Sequence, residues 1–172
     1  MTTLLLVRHG ETDWNAGRRW QGHTDVPLNA RGRAQAAALA EELAADPPSA
    51  IYTSDLSRAR ETAEIVGARL GVPVILEPRL REIHVGSREG LTAKEVGDRE
   101  WDGEPHADHG IRVLAAVRDI AAAHPDGRVL VVAHGGSLRR VQEEIGAEPE
   151  VWFDNCVPWT VVSEDGVLRA ID

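Results

Sequence analysis

The sequence predicts an α/β fold of three layers, with helices on both faces of a mostly parallel central sheet. Two short apolar runs, residues 4–7 and 129–133, are typical of buried parallel strands, and each is followed by a histidine and a glycine. Between these runs, apolar residues recur at three- and four-residue spacing, which indicates helices that alternate with strands. A chain in which strands and helices alternate favours a parallel sheet over a sandwich or a helical bundle.

Further strands are expected on both sides of this pair. A short apolar run precedes Ser54, and a second run is interrupted by a proline. Near the C-terminus, two alternating runs flank a polar turn and predict a hairpin. Besides the first pair, the candidate strands are residues 50–52, 72–76, 159–162 and 167–171.

Start and stop signals predict four helices. The first covers residues 29–45, with Asn29 as its N-cap. The second is expected to be capped by Ser54 or Asp55 and to stop at Gly71. The other two are a helix that follows Asp108 and ends before Pro125, and a helix that begins near Ser137.

The length of the chain predicts a single domain over residues 1–172, since common domains have about 150 residues. Apolar residues make up 42% of the chain and charged residues 27%, which allows a sizeable core. The apolar run at the N-terminus is too short for a signal peptide or a membrane span. Because Cys156 is the only cysteine, a reducing compartment fits best, and we expect a cytoplasmic protein.

The charge balance argues against polyanionic partners. Lys and Arg number 19 against 28 Asp and Glu, for a net charge of −9. We therefore expect no nucleic-acid partner and no membrane association. Lys94 is the only lysine, so nearly all the cations are arginines, which bind carboxylate or phosphate through two parallel hydrogen bonds.

The two His-Gly pairs indicate an anion site. His9 and His134 each follow a predicted strand, and the carboxyl ends of strands form the ligand crevice of an open α/β sheet. The glycines let backbone amides approach an anion, and the helix start after His134 adds a positive dipole end. Arg8 and Arg58 supply guanidinium groups that suit phosphate oxygens.

These residues carry a family resemblance. The segment Arg8-His9-Gly10-Glu11-Thr12, with Asn15, resembles the signature of the histidine phosphatase superfamily, in the branch that contains cofactor-dependent phosphoglycerate mutase and its phosphatase relatives. Further segments resemble the family's motifs in the family's order, at residues 21–28, 54–59, 80–90 and 134–136. The resemblance implies a phosphoglycerate mutase-like fold.

The resemblance also implies a chemistry. His9 would attack phosphorus and become a phosphohistidine, while Arg8, Arg58 and His134 would hold the phosphoryl oxygens. Glu82 would protonate the leaving alcohol and later activate water. No metal ion and no other cofactor is then required. Contacts to the substrate are expected from Asn15, Gln21, Gly22, Thr24, Gly135 and Gly136.

Two other patterns have simpler interpretations. The segment from His106 to His109 could suggest a metal site, but it has no second ligand cluster at suitable spacing, and roles in a loop and a helix N-cap are preferred. The five tryptophans lie in an acidic chain, so they are expected to be core or pocket walls rather than a surface for stacking bases.

The sequence favours a phosphatase over a mutase. The position at which mutases of this branch carry a lysine falls on Ala93, and the long insertion that follows in mutases is largely missing. We therefore expect hydrolysis of a small phosphomonoester under an open cap, by a monomer or homodimer, with residues 97–110 selecting the leaving alcohol. The alternatives that stay open are a cofactor-dependent phosphoglycerate mutase, a phosphohistidine-protein phosphatase and a non-catalytic module that binds a phosphorylated ligand.

Overall fold

The computed structural model describes residues 1–146 and 153–171. In these residues one sheet has six strands: β1 (Thr2–Arg8), β2 (Ala50–Thr53), β3 (Val74–Leu76), β4 (Arg128–Ala133), β5 (Pro158–Glu164) and β6 (Val167–Ala170). Their order in the sheet is β3-β2-β4-β1-β5-β6. The first four strands in this order are parallel to one another, β5 pairs antiparallel with β1, and β6 pairs antiparallel with β5. The predicted α/β class, the mostly parallel sheet and the terminal hairpin are confirmed.

Helices cover both faces of this sheet. Four of them were predicted, and two short helices of four residues, α1 and α4, were not. The helices are α1 (Asp13–Ala16), α2 (Ala30–Leu43), α3 (Ser57–Leu70), α4 (Ala93–Val96), α5 (His106–Ala123) and α6 (Gly135–Glu144), with short 3-10 helices at Pro78–Leu80 and Gly86–Arg88.

The core lies in two layers because the side chains of β1 alternate between the faces of the sheet. Leu4 and Leu6 are fully buried with apolar residues of α5 and α6. Leu5 and Val7 are buried on the other face with residues of α2 and α3. Both faces of β1 are therefore covered, and its last residue, Arg8, lies at the carboxyl end of the parallel strands.

Helix ends follow local signals in some places and not in others. Asn29 caps α2 as predicted, because its side chain accepts a hydrogen bond from the amide of Gly32 at 2.9 Å. Gly71 ends α3 with a φ of 69°, in the left-handed region that favours glycine. Helix α6 begins at Gly135, two residues before the predicted Ser137, directly after His134.

Two predicted helix starts are wrong. Helix α3 begins at Ser57 with Leu56 as its N-cap residue, and neither Ser54 nor Asp55 caps it. The amide of Ser57 instead donates to Asp25 Oδ1 at 2.7 Å, so the capping carboxylate comes from a distant loop.

Helix α5 begins at His106, so Asp108 lies in its first turn rather than before it. A carboxylate there still interacts favourably with the helix dipole, which explains why the residue resembles a cap in the sequence. Among the described residues, no helix is long and apolar enough to cross a membrane.

Candidate active site

A cavity of about 440 Å³ opens where β1 and β4 end side by side. The register of the two strands pairs Arg8 with Ala133, which brings His9 and His134 together just beyond them. Their ring centroids are 5.2 Å apart. Nine of the residues expected in the site line the cavity: Arg8, His9, Asn15, Gln21, Gly22, Arg58, Glu82, Gly135 and Gly136.

His9 is held in the tautomer that a nucleophile needs. Its Nδ1 lies 2.7 Å from the carbonyl oxygen of Gly10. A carbonyl can only accept, so Nδ1 carries the proton and Nε2 keeps its lone pair. Burial, together with the charges of Arg58 and Arg8, holds the pKa of His9 well below its usual value. The imidazole is therefore neutral and nucleophilic at pH 7.

Two arginines lie beside His9, and each has an N–H donor that no described residue uses. Arg58 is fully buried and donates from Nη1 to the carbonyl of Thr24 at 2.9 Å and from Nη2 to that of Gly22 at 2.8 Å. Arg8 donates from Nη1 to the carbonyl of Phe153 at 3.1 Å. In both side chains Nε has no partner among the described residues. Burial lowers the pKa of Arg8, and that of Arg58 to about 10, so both remain charged at neutral pH.

The ring of His134 lies beside that of His9, and His134 is not among the residues that line the cavity. The side chain is fully buried, and neither ring nitrogen has a partner among the described residues. Burial, with the neighbouring Arg58, lowers its pKa well below the usual value. A neutral imidazole here has one N–H donor and one acceptor to offer a group that arrives beside His9.

The carboxylate of Glu82 is fixed by two backbone amides. Ile83 donates to Oε1 at 2.8 Å, and Gly136 donates to Oε2 at 3.0 Å. The amide of Gly136 is therefore bound to Glu82 in this structure, which differs from the expectation that it contacts the substrate. A Cβ at position 136 would lie 2.2 Å from Glu82 Oε1, so the approach requires glycine.

The carbonyl of Glu82 is also held. His23 Nε2 lies 2.7 Å from it, and Arg112 donates to it from Nη2 at 2.9 Å. Because both partners act as donors to the same oxygen, the backbone at Glu82 has little freedom to shift. The side chain is thus presented to the cavity from a fixed backbone.

Thr24 does not line the cavity, contrary to the expectation that it touches the substrate. Its carbonyl accepts from Arg58, and its hydroxyl donates to Glu89 Oε2. Glu89 also accepts from the amide of His23 at 2.9 Å, so it ties this loop to the segment that carries Glu82. Thr24 therefore positions Arg58.

Asn15 and Gln21 line the cavity and also stabilise their own loop. Thr12 and Asn15 form a capping box at the start of α1. The hydroxyl of Thr12 donates to Gln21 Oε1 at 2.8 Å, which fixes the orientation of that amide. Thr12, which carries no catalytic group, is fully buried at the centre of this network.

Residues 97–110, which we expected to select the leaving alcohol, do not line the cavity. They pack behind the loop of Glu82 instead. The amide of Glu104 donates to the carbonyl of His84 at 2.8 Å, and Asp102 accepts from the amide of Ser87 at 3.0 Å. The segment supports the loop without facing the site.

Sequence reasoning missed four arginines of this region. Arg18, Arg19 and Arg139 line the cavity, and Arg112 holds the loop of Glu82 from α5. A signal for Arg139 exists in the sequence, because it follows Gly135 by four residues in a helix and so shares its face. Arg18 and Arg112 have no comparable local signal. Within the described residues, no cluster of three or more His, Cys, Asp or Glu is arranged to hold a metal ion.

Comparisons with known proteins identify the family of this chain. The family model described as histidine phosphatase superfamily (branch 1) matches residues 4–164. A metal-independent phosphoserine phosphatase of Arabidopsis thaliana is 39% identical in an alignment 160 residues long, which covers 82% of this chain and 67% of that protein. A glucosyl-3-phosphoglycerate phosphatase of Mycolicibacterium vanbaalenii is 41% identical in an alignment 157 residues long, which covers 78% of this chain and 70% of the relative.

Solved structures show the same fold over nearly the whole chain. The protein YhfR of Bacillus stearothermophilus superposes with a TM-score of 0.90 at 34% identity, covering 99% of this chain and 95% of that one. A mycobacterial glucosyl-3-phosphoglycerate phosphatase in complex with VO3 superposes with a TM-score of 0.86 at 31% identity, covering 98% and 96%. The chain therefore belongs to branch 1 of the histidine phosphatase superfamily and is an enzyme of the phosphatase type.

Proposed function

We propose that this enzyme hydrolyses a small phosphomonoester through a phosphohistidine intermediate on His9, without a metal ion. The observation that carries the proposal is the tautomer of His9: Nδ1 donates to Gly10, and Nε2 makes no hydrogen bond to the described residues at a cavity flanked by Arg8 and Arg58. A neutral imidazole with a free lone pair beside two guanidinium groups suits attack on a bound phosphoryl group.

In the first step, His9 Nε2 forms a bond to phosphorus while the bond from phosphorus to the leaving oxygen breaks. Arg8 and Arg58 stabilise the charge that spreads over the phosphoryl oxygens, and a neutral His134 donates one further hydrogen bond. Glu82, in its protonated form, gives its proton to the leaving oxygen, so that a neutral alcohol departs.

In the second step, the Glu82 carboxylate takes a proton from a water molecule, whose oxygen attacks phosphorus. The bond from phosphorus to Nε2 breaks, and phosphate leaves with His9 again neutral. Glu82 returns to the protonated form in which it began. Atoms and charge therefore balance over the cycle, and one carboxyl group serves as acid and then as base.

The names of the relatives suggest first substrates to test. Phosphoserine and glucosyl-3-phosphoglycerate are the compounds that two similar phosphatases are named for. Mutase activity is the second candidate, since a relative of 39% identity in Photorhabdus laumondii is named a probable phosphoglycerate mutase. Against it, Lys94 is exposed and does not line the cavity, so this cation cannot help to retain a bisphosphorylated intermediate.

The test of the proposal is phosphate release from an aryl phosphate in the presence of a metal chelator. We expect turnover by the wild type and a loss of at least about 1000-fold in His9→Ala. Quenching in alkali, which preserves phosphohistidine, followed by mass spectrometry should place the phosphoryl group on the peptide of His9. Undiminished turnover by His9→Ala would refute the mechanism.

Two further measurements separate the alternatives. Phosphorus NMR of 3-phosphoglycerate with added 2,3-bisphosphoglycerate would reveal a mutase if isomerisation outpaced phosphate release. A phosphorylated histidine protein offered in competition with the aryl phosphate tests the protein phosphatase. Saturable phosphate binding without turnover would instead indicate a binding module.

A further inference from the structure

The cavity carries more positive charge than one phosphoryl group needs. Five arginines line it, while Glu82 is the one carboxylate among the described lining residues. The chain as a whole has a net charge of −9, so this concentration of cations is local. The arginines are Arg8, Arg18, Arg19, Arg58 and Arg139.

Three of these arginines already have partners or a role. Arg8 and Arg58 flank His9 and are assigned to the phosphoryl group. Arg19 forms an ion pair with Glu95 at 3.0 Å and donates to the carbonyl of Gly90 at 2.6 Å. Arg18 and Arg139 are different, because no described residue forms an ion pair or a side-chain hydrogen bond with either of them.

Helix α6 directs Arg139 towards the site. Arg139 follows Gly135 by one helical turn, and long side chains in a helix lean towards its N-terminus, which here is the end beside His134. The neighbouring Arg140 pairs with Glu143 at 2.9 Å and does not line the cavity. Two consecutive arginines of one helix therefore differ, because Arg140 is paired while Arg139 faces the cavity with no partner among the described residues.

Arg18 reaches the cavity from an unfavourable backbone conformation. It follows α1 with a φ of 51°, in the left-handed region that favours glycine. Glycine stands immediately before it, at position 17. Trp20 and Phe153 provide aromatic walls of the same cavity that Arg18 and Arg139 line.

We infer that the leaving alcohol carries a second anionic group and that Arg139 and Arg18 bind it. Guanidinium groups that have no partner in the described part of the chain and line a cavity with aromatic walls attract a carboxylate or a phosphate, which both accept paired hydrogen bonds. The inference rests on the proposed function in that it gives the phosphoryl group to Arg8 and Arg58. Arg139 and Arg18 are then the residues that determine specificity, in place of residues 97–110.

The test is binding to the His9→Ala protein, which does not depend on turnover. Calorimetric titration would compare 3-phosphoglycerate with glycerol 3-phosphate, which has a hydroxymethyl group in place of the carboxylate. A second pair, 1,3-propanediol bisphosphate and 3-hydroxypropyl phosphate, presents a second phosphate in the same way. The two pairs distinguish a carboxylate from a phosphate as the preferred second anion.

We expect the doubly anionic member of at least one pair to bind at least about tenfold more tightly. Adding Arg139→Met should reduce the ratio of the two dissociation constants in that pair by about tenfold. The matched control Arg140→Met should leave this ratio unchanged. Arg18→Gly should also reduce this ratio. Glycine adopts a positive φ readily, so this substitution removes the guanidinium without straining the backbone. Thermal melting of each variant checks that it is folded.

A ratio near one in both pairs would overturn the inference, as would equal effects of Arg139→Met and Arg140→Met. Failure of the proposed function has a different signature. In that case the protein with His9 intact would release no phosphate from any of the four esters, while the binding ratios would still report on the second anionic group.

Discussion

At the scale of single residues, the position of Glu82 depends on the absence of a side chain at residue 136. The amide of Gly136 donates to the carboxylate across 54 positions of sequence. A Cβ on that residue would lie 2.2 Å from Oε1 and 3.0 Å from Cδ of Glu82. Contacts this short cannot form, so a larger residue would force the carboxylate to shift from its present position.

We expect Gly136→Ala to lower kcat by about 100-fold, because a displaced general acid cannot protonate the leaving alcohol. Steady-state kinetics with an alkyl phosphate would measure this. If Gly136→Ala acts by displacing Glu82, adding it to Glu82→Gln should lower kcat little further than Glu82→Gln alone does. Independent, additive losses would contradict this explanation.

At the scale of secondary-structure elements, α5 positions the loop of Glu82 through one side chain. Arg112 donates from Nη1 to the carbonyls of Arg79 and Arg81 at 2.8 and 2.6 Å and from Nη2 to that of Glu82 at 2.9 Å. Glu104 in turn holds this guanidinium with both carboxylate oxygens at 2.7 Å. The loop is thus bound to a long helix rather than left to its own backbone.

Replacing Arg112 with Met should lower kcat by about 100-fold for alkyl phosphates with little change in KM, because the general acid would be misplaced while the phosphate site stays intact. The loss should be smaller for an aryl phosphate with a good leaving group, which needs less protonation. Arg118→Met is the matched control, since Arg118 lies on the same helix in an exposed pair with Glu144. Equal losses in both variants, or equal losses for both substrates, would contradict a positioning role.

At the scale of the whole molecule, burial of histidines makes stability depend on pH. Burial lowers the pKa of His9, His134 and His23, and it lowers that of His109 from 6.5 to about 4. Between the lowered value and 6.5, the unfolded chain binds protons that the folded protein does not bind. Stability therefore rises with pH in this window and is lost as pH falls below about 6.5.

We expect the free energy of unfolding to fall between pH 7 and pH 5, with a contribution of up to about 1.4 kcal/mol per pH unit from His109. Urea unfolding at several pH values would measure the slope. His109→Gln should make this slope shallower, since it removes one of the protons taken up on unfolding. A free energy that stays constant over this range, or a slope unchanged by His109→Gln, would contradict the expectation.

Local sequence patterns predicted the parts of the fold that neighbouring residues determine. The buried strands and the ends of helices at Asn29 and Gly71 follow from apolar runs, a short polar side chain and a glycine. The start of α3 could not be predicted in this way, because its capping carboxylate, Asp25, lies 32 positions before the amide of Ser57. Only packing brings these two together.

In the candidate site, too, local motifs predicted some placements and only packing determined the others. The motifs predicted the residues that gather at the cavity, including His9, Arg8, Arg58 and Glu82. They did not predict that His134 would be absent from the cavity lining, or that Thr24 would hold Arg58 instead of facing the cavity. Those placements depend on which groups of separate loops come within hydrogen-bonding distance.

By itself, therefore, the sequence determined the α/β class, the family and most of the residues that gather at the cavity, because strand and helix patterns and contiguous motifs depend on neighbouring residues. The tertiary structure alone decided that Gly136 holds Glu82 and that residues 97–110 support a loop from behind. It also decided that Arg18 and Arg139 line the cavity with no partner among the described residues. The physical reason is that hydrogen bonds and ion pairs act over a few ångströms, so residues far apart in the chain interact only after packing has brought them together.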